Sequence, residues 1–516
     1  MKEKDSVIVS SLKKQEQELR RNVQKSPQNP EAYYRLGGFL NENGNLAEAA
    51  DALRQAIALD PEEASFYQEL GLVLGKAGML EKAAELLRWA LVIQPKYPEA
   101  VNNLGVILRR TGALGEAESC FRQALSWKPL FADAYNNLGL VLEGDVQRQE
   151  EAFQSFQQAV KLEPTNATIQ YNFGLALKNR HDFEKAEACL KRALQLKEDF
   201  VEADFSLAEL YLLQGRYELG WDKYDDLRLL TRRHGQLPLP HWRGECLQGQ
   251  KILLYADQGY GDSLQFLRYA TEVAEMAEEV GILVQKPLED LVRQSLPECR
   301  VWDSSEMLPL QEYDLASPLL SLPHWLHTRL ESIPRKIPYV QSKQQETAKW
   351  AKRIRKLNPQ GKLRVGVVWA GNAAHSNDKN RSIPLVCLQP LFEQQEVFLL
   401  SLQAGERAKD LMKLPVPAAI ADITLHLTNF AATAAIIANL DLVLTVDSAV
   451  AHLAGAMGKK TWLMLPYNPD WRWLLDREDS PWYPSMRLFR QKRLGDWTEV
   501  IRDVKKALEA TGQNHE

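Results

Sequence analysis

Residues 104–139 of the chain read LGVILRRTGALGEAESCFRQALSWKPLFADAYNNLG, so this stretch begins and ends on a Leu-Gly pair. The pair recurs along the first half of the chain with a step of 34 or 35 residues, and its last two copies vary in one position. The six copies are Leu36-Gly37, Leu70-Gly71, Leu104-Gly105, Leu138-Gly139, Phe173-Gly174 and Leu207-Ala208. A fixed period of this length is the sequence signature of a repeat architecture, in which each unit stacks on the next.

The apolar pattern predicts two helices in each unit. Leu36 and Leu40 fall on one helical stripe, whereas Leu53 and Ala56 fall on another. A small residue repeats where the helices cross, and a proline ends the second helix because it lacks the next backbone donor. The pattern resembles the tetratricopeptide repeat. It predicts an α-solenoid of six units over residues 30–235, preceded by an N-terminal helical arm over residues 1–29, with a longer turn in the fourth unit.

The second half of the chain has a different pattern, in which short apolar strands alternate with turns and helices. The first strand, at 251–255, leads into a glycine-containing turn and a helix, which is how an α/β nucleotide-binding unit begins. Further strands are predicted at 281–284, 363–369, 397–402, 440–446 and 460–465. We therefore expect two α/β lobes, at residues 236–343 and 344–516, with a ligand site in the cleft between them.

Composition excludes several classes of protein. The chain has 516 residues with 63 Lys+Arg and 68 Asp+Glu, a formal net charge of −5, which gives no electrostatic indication of a nucleic-acid partner. Its apolar runs are shorter than the ~18–20 residues that a membrane span needs. The five cysteines are widely spaced and form no CxxC motif, which argues against a disulfide framework or a zinc site. These features lead us to expect a cytoplasmic protein without a membrane span.

The strongest candidate for a ligand site is the segment 446–452. A buried strand ends at Val446, and the small residues after Asp447 start a helix, whose free N–H groups and positive end favour a diphosphate. Ser448 and His452 are four residues apart and share one face of that helix. In the alternative interpretation, Asp447 is only a helix cap and His452 a packing residue.

Two further segments could take part in the same chemistry. In the turn 258–262, Gly259 and Gly261 allow close backbone approach, and Asp262 is placed to take a proton from an acceptor hydroxyl or, alternatively, only to complement the helix dipole. In the loop after Trp369, Lys379 and Arg381 are candidates to neutralise phosphate, unless the loop is merely solvated. No Ser-His-Asp triad, P-loop or metal-ligand spacing is evident.

Aromatic residues and amides supply two weaker signals. The run 470–473, Asp-Trp-Arg-Trp, either stacks on a base or sugar or packs the end of the chain against the first α/β lobe. Asn103, Asn137 and Asn172 occupy equivalent positions in three successive repeats. A row of amides can hold an extended peptide by its backbone, although asparagine also simply suits the solvated face of a helix.

The α/β segments together resemble the heptosyltransferase branch of the glycosyltransferases with two Rossmann-like lobes (GT-B). The resemblance rests on the turn 258–262, the strand 365–369 and the segment 447–452. The layout of repeats followed by a transferase is similar to that of O-linked N-acetylglucosamine transferases, and bacterial proteins of this combined type carry close versions of 465–491. The heptosyltransferase branch has no repeats, however, so donor and acceptor are not both implied by one family.

The resemblance implies a set of site residues. Asp262 matches the position of the catalytic base, and Lys379 or Arg381 falls near the phosphate-neutralising cation. The donor-binding set comprises Asp447, Ser448, Ala449, His452, Lys379, Arg381, Gly259 and Gly261. Asn103, Asn137 and Asn172 match the asparagine ladder that holds acceptor peptides.

The function expected from this resemblance is inverting transfer from a nucleotide-diphosphate sugar, without a metal or other cofactor. The repeat groove would recruit a protein, peptide or glycan acceptor. The competing hypothesis is a repeat scaffold whose α/β half has lost turnover.

Overall fold

The computed structural model describes residues 2–231, 237–375, 377–414 and 420–512. The chain divides into two compact units, Met1–Phe200 and Val201–Glu516. The boundary expected at residues 235–236 lies outside the described residues, and the observed division comes earlier in the chain. The reason is that the sixth helix pair packs on the α/β part of the second unit.

The first unit is a helical solenoid, as the repeat period predicts. A single helix, α1, is followed by five helix pairs. The bounds are α1 Lys2–Lys25, α2 Pro30–Glu42, α3 Leu46–Leu59, α4 Ala64–Lys76, α5 Leu80–Ile93, α6 Pro98–Arg110, α7 Leu114–Trp127, α8 Ala132–Leu142, α9 Gln149–Leu162, α10 Ala167–Asn179 and α11 Phe183–Leu196. The extra residue of the fourth unit is accommodated in a longer turn between α8 and α9, which contains a 3-10 turn at Val146–Arg148.

The glycine of each Leu-Gly pair leaves room for a side chain from the second helix of its own pair. A Cβ added to Gly105 would lie 2.6 Å from Cε1 of Phe121, and one added to Gly139 would lie 2.8 Å from Cε1 of Phe156. The repeated alanines of the second helices, including Ala124, are fully buried. The predicted reason for the small residues, close helix packing, is confirmed.

The second unit contains the sixth helix pair and two parallel sheets. The bounds of its helices are α12 Val201–Leu213, α13 Tyr217–Thr231, α14 Tyr260–Phe266, α15 Ala270–Met276, α16 Glu289–Ser295, α17 Leu322–Trp325, α18 Gln344–Leu357, α19 Asp378–Arg381, α20 Gln389–Phe392, α21 Phe430–Ile437, α22 Ala449–Ala456 and α23 Thr498–Gly512. The bounds of its strands are β1 Lys251–Tyr255, β2 Glu279–Val284, β3 Arg300–Asp303, β4 Leu315–Pro318, β5 Leu363–Val368, β6 Val397–Ser401, β7 Leu442–Val446, β8 Thr461–Leu465 and β9 Met486–Arg490.

Each sheet defines one α/β lobe. The first has the strand order β3-β2-β1-β4 and the second has the order β6-β5-β7-β8-β9, and all pairings between these strands are parallel. The strand order reverses next to β1 in the first sheet and between β5 and β7 in the second. In open α/β sheets, ligands bind outside the carboxyl ends of the strands at such a switch point. The solenoid followed by two α/β lobes confirms the predicted fold class.

Among the described residues, no helix combines the length and apolar character that crossing a bilayer requires.

Candidate functional site

The N-terminal ends of α14 and α22, one from each α/β lobe, meet at the cleft. A Cβ added to Gly261 on α14 would lie 2.8 Å from Cδ2 of His452 and 3.7 Å from Cα of Ala449 on α22. Only glycine permits this approach, because His452 is itself buried and held in place by its neighbours. The two segments that the sequence singled out separately therefore form one site.

Asp262 lies in the first turn of α14, and both of its carboxylate oxygens have partners. Oδ2 accepts a hydrogen bond of 3.0 Å from the backbone N–H of Gly259, which caps the helix. Oδ1 forms an ion pair with the guanidinium of Arg472 from the other lobe. The side chain of Asp262 is 25% exposed, so the carboxylate is fixed in orientation and still reaches solvent.

Arg472 is a site residue that sequence reasoning did not identify. Its Nη1 donates to Oδ1 of Asp470 over 2.9 Å, and its Nε donates to Oε1 of Gln265 over 2.7 Å. Burial alone lowers the pKa of Arg472, but Asp470 and Asp262 outweigh this effect and raise the pKa above its usual value. The guanidinium is therefore a permanent positive charge between two carboxylates.

The segment that begins α22 also has unusual electrostatics. Burial raises the pKa of Asp447 to about 6, and the carboxylate of Asp470 adds to the rise, whereas Arg381 and Arg472 oppose it. Ser448 is the N-cap residue of α22 but does not cap it with its side chain, because its Oγ lies 3.0 Å from Oγ1 of Thr445. The first N–H groups of α22 are thus left without a side-chain cap from Ser448.

The structure distinguishes the two candidate cations of the loop after β5. Both Lys379 and Arg381 belong to the short helix α19, but Lys379 is exposed, whereas the side chain of Arg381 is only 15% exposed. The Arg381 guanidinium lies over Gly371, at 2.7 Å from the position of an added Cβ. Its Nε makes no hydrogen bond to a described residue and lies 3.9 Å from Oδ1 of Asp378. Since its charge also influences Asp447, Arg381 is the better placed of the two.

His452 is a buried residue of this site. Its Nδ1 lies 2.9 Å from the hydroxyl of Tyr483, and its ring stacks on Trp473 with the centroids 5.3 Å apart. Burial lowers the pKa of His452 well below its usual value, and Arg472 and other nearby arginines lower it further. The contacts of His452 in this structure are packing against Trp473 and a hydrogen bond with Tyr483.

The aromatic run 470–473 packs the end of the chain, as the second of the two interpretations predicts. Trp471 and Trp473 are both buried, and the guanidinium of Arg472 lies 5.8 Å from the ring of Phe266 in the first lobe. The sequence signal was correct about packing, but it did not indicate that the arginine between the two tryptophans would meet Asp262.

The asparagines of the solenoid lie in the first unit. Asn103 and Asn137 are half-buried and Asn172 is buried. Nδ2 of Asn137 donates over 3.0 Å to Oδ1 of Asn102, and Nδ2 of Asn172 donates over 2.8 Å to Oδ1 of Asn136. The amides of Asn137 and Asn172 thus link successive repeats. Neither of the two interpretations from the sequence included this structural role.

Comparison with known families agrees with this architecture. Residues 40–78 match a model described as TPR repeat, and residues 69–126, 114–167 and 171–228 match one described as tetratricopeptide repeat. Residues 391–462, which include β7 and α22, match the model of glycosyltransferase family 9 (heptosyltransferase). Parts of the chain thus match tetratricopeptide repeats and glycosyltransferase family 9, and each match spans less than half of the chain.

Individual relatives are distant. Protein FlbA of Caulobacter vibrioides is 24% identical over 383 residues, and the alignment covers 68% of this chain and 63% of the relative, so less than two thirds of that protein is spanned. Among solved structures, pilF of Pseudomonas aeruginosa is 20% identical, with 40% of this chain and 93% of that chain covered and a TM-score of 0.34. A thermophilic TPR protein of Thermus thermophilus is 22% identical, with 36% and 99% covered and a TM-score of 0.33.

Proposed function

We propose that the protein is an inverting glycosyltransferase that uses a nucleotide-diphosphate sugar, with the repeat groove recruiting a protein or glycan acceptor. The observation that carries the proposal is the convergence of Asp262, Arg472, Arg381 and Asp447 around the touching ends of α14 and α22. Of these groups Arg472 is buried; a buried charge is costly to a fold, and groups with perturbed pKa values cluster at functional sites. A scaffold that had lost turnover would have no need to keep them.

Each group has a part in the proposed reaction. The diphosphate leaving group rests at the N-terminus of α22, where free N–H groups and the helix dipole favour its charge. Arg381 neutralises the charge that develops on the phosphate oxygens, so that no metal ion is needed for this step. Asp262 takes the proton of the acceptor hydroxyl, which attacks the anomeric carbon from the face opposite the diphosphate, and the configuration is inverted.

The decisive experiment replaces Asp262 with Asn, which keeps the size of the side chain and removes its ability to accept the proton. We expect transfer to fall at least about 100-fold, as for other general bases, while the affinity for the nucleoside diphosphate stays within about threefold. Asp222→Asn serves as the control because the side chain of Asp222 is 76% exposed. The readout is release of nucleoside diphosphate from a panel of UDP-, GDP- and ADP-sugars, with EDTA present. If Asp262→Asn turns over as fast as the wild type, the assignment of Asp262 as the base is wrong.

We further propose that the asparagine row holds the acceptor by its backbone. An amide has two donors and two acceptor lone pairs, so the bonds between Asn137 and Asn102 and between Asn172 and Asn136 leave hydrogen-bonding capacity for a peptide. The support is the regular spacing of these amides along successive first helices, of which Asn103 and Asn137 are half-buried and Asn172 is buried.

The test of acceptor recruitment changes Asn103, Asn137 and Asn172 together to Ala. We expect binding of a library of unstructured 12-residue peptides to weaken about tenfold, and donor hydrolysis to stay unchanged. The matched control changes Gln55, Gln123 and Gln195 to Ala, which are three exposed amides on second helices. Because lost hydrogen bonds between repeats cost about 1 kcal/mol each, the urea midpoint is measured for both triple variants. If the two triple variants bind the peptides with equal affinity, the asparagines have only a structural role.

A further inference from the structure

The ion pair between Asp262 and Arg472 joins two parts of the sequence that are 210 residues apart. Arg472 contacts α14 at two positions one turn apart, Asp262 and Gln265, and it holds its own loop through Asp470. Its side chain is 9% exposed. A buried guanidinium with three partners in fixed directions is a rigid support and not a flexible surface charge.

The loop that carries Arg472 is itself held on both sides. Trp471 packs edge-on against Trp221 and Tyr224 of α13, with ring centroids 5.3 and 6.0 Å away. Arg490 donates to the carbonyl oxygens of Trp473 and Leu474. The sixth helix pair is therefore connected to Asp262 through two adjacent residues, Trp471 and Arg472.

These contacts match what a base at this position requires. A carboxylate that receives a hydroxyl proton must be ionised, and one lone pair must point at the acceptor in a fixed direction. Gly259 and Arg472 each occupy one oxygen of Asp262 and leave the other lone pairs available.

We propose that Arg472 is a positioning residue for Asp262, and that the helix pair α12–α13 serves the catalytic site by anchoring Trp471. This inference rests on the proposed function, in which Asp262 is the base. The sixth repeat unit is then part of the transferase and not only the end of the solenoid.

The test compares Arg472→Gln and Arg472→Lys in the full chain, with the fastest substrate of the UDP-, GDP- and ADP-sugar panel. Loss of the guanidinium removes the contact that orients the carboxylate of Asp262, so we expect an effect on kcat and not on substrate binding. We expect kcat to fall about 100-fold, as for a misplaced catalytic group, with KM changed less than threefold. Arg472→Lys keeps the charge and is expected to restore part of the lost kcat.

Arg268→Gln is the matched control, because Arg268 is also buried beside α14 but donates to the carbonyl oxygens of Gln265 and Trp482 and not to a carboxylate. Its loss is expected to lower the urea midpoint with a smaller loss of kcat than in Arg472→Gln. A merely structural part for Arg472 predicts equal losses of kcat in Arg472→Gln and Arg268→Gln and no recovery in Arg472→Lys, and that result would overturn the proposal. If Arg472→Gln does not fold, Trp471→Phe is used, for which we expect a lower kcat at an unchanged KM; an unchanged kcat would overturn the anchoring part of the proposal.

A measurement independent of turnover separates this inference from the proposed function. In the double-mutant cycle of Asp262→Asn and Arg472→Gln, the loss of urea midpoint in the double variant should be smaller than the sum of the single losses. Additive losses would overturn the positioning contact even in an active enzyme. A wild-type chain that releases no nucleoside diphosphate from any sugar of the panel would refute the proposed function, and the catalytic part of the inference with it, even if the cycle shows coupling.

Discussion

The solenoid and the α/β cleft each contain a carboxylate with a displaced pKa, and the two pKa values are displaced in opposite directions. In the solenoid, Glu118 accepts two hydrogen bonds of 2.7 and 2.8 Å from Arg148 and one from Arg122, and these bonds lower the pKa of Glu118 to about 2. In the cleft, burial and the nearby Asp470 raise the pKa of Asp447 to about 6. The first arrangement stabilises the fold at neutral pH and the second opposes it. The charge of Glu118 serves stability, whereas the charge of Asp447 is kept at a cost in stability.

The largest expected effect concerns close glycine contacts, which occur separately in the cleft and in the solenoid. Gly261→Ala would place a Cβ 2.8 Å from the buried ring of His452, and overpacking of this kind costs about 1–3 kcal/mol. Because the next residue is Asp262, we expect turnover of the nucleotide sugar to fall about 100-fold, as for a misplaced catalytic group. Initial rates and urea midpoints of the purified variant test this expectation.

Gly105→Ala provides the comparison in the solenoid. Its Cβ would lie 2.6 Å from Cε1 of Phe121, so the packing conflict is at least as severe. We expect a similar loss of stability but donor hydrolysis within about twofold of the wild type. If both variants lost turnover equally, the difference between a structural and a functional glycine contact would disappear.

The fold could be predicted because its signals are local. The strand predicted at 251–255 is observed with these bounds, and the one predicted at 397–402 ends one residue earlier, at Ser401. The repeat period fixed the helix pairs because each glycine packs on the next helix of its own unit, 16 or 17 residues away, as Gly105 does on Phe121. Such contacts recur with the sequence and can be read from it.

The site was predictable only in part, since its contacts join distant segments. The ends of α14 and α22 were identified separately, but nothing in the sequence pairs Asp262 with Arg472. Lys379 and Arg381 were equivalent in the sequence, whereas in the short helix α19 residues two apart point to nearly opposite sides, so one is exposed and the other faces Gly371. Orientation of this kind follows from tertiary packing and not from the local pattern.

The next prediction tests the opposite pKa displacements of Asp447 and Glu118 by measuring stability. The raised pKa of Asp447 means that folding favours its protonated form, so its unfavourable contribution appears as the pH rises from about 4 to about 6. Asp447→Asn, which is always neutral, should therefore be more stable than the wild type at pH 7, by on the order of 1–3 kcal/mol. Below about pH 4 the two should have similar urea midpoints, and donor binding by the variant reports whether the carboxyl contributes there.

Glu118→Gln is the control of opposite sign for the same measurement. The lowered pKa of Glu118 contributes stability that is fully present above about pH 4.5 and is lost as the pH falls through about 2. At pH 7 this variant should be less stable than the wild type, by about 1 kcal/mol once solvent screening of the partly exposed ion pair is allowed for, and the gap should close in acid. The contrary outcome is that both variants shift stability in the same direction at pH 7. In that case burial at Asp447 does not outweigh its attraction to Arg381 and Arg472, and the electrostatic contrast between the two carboxylates disappears.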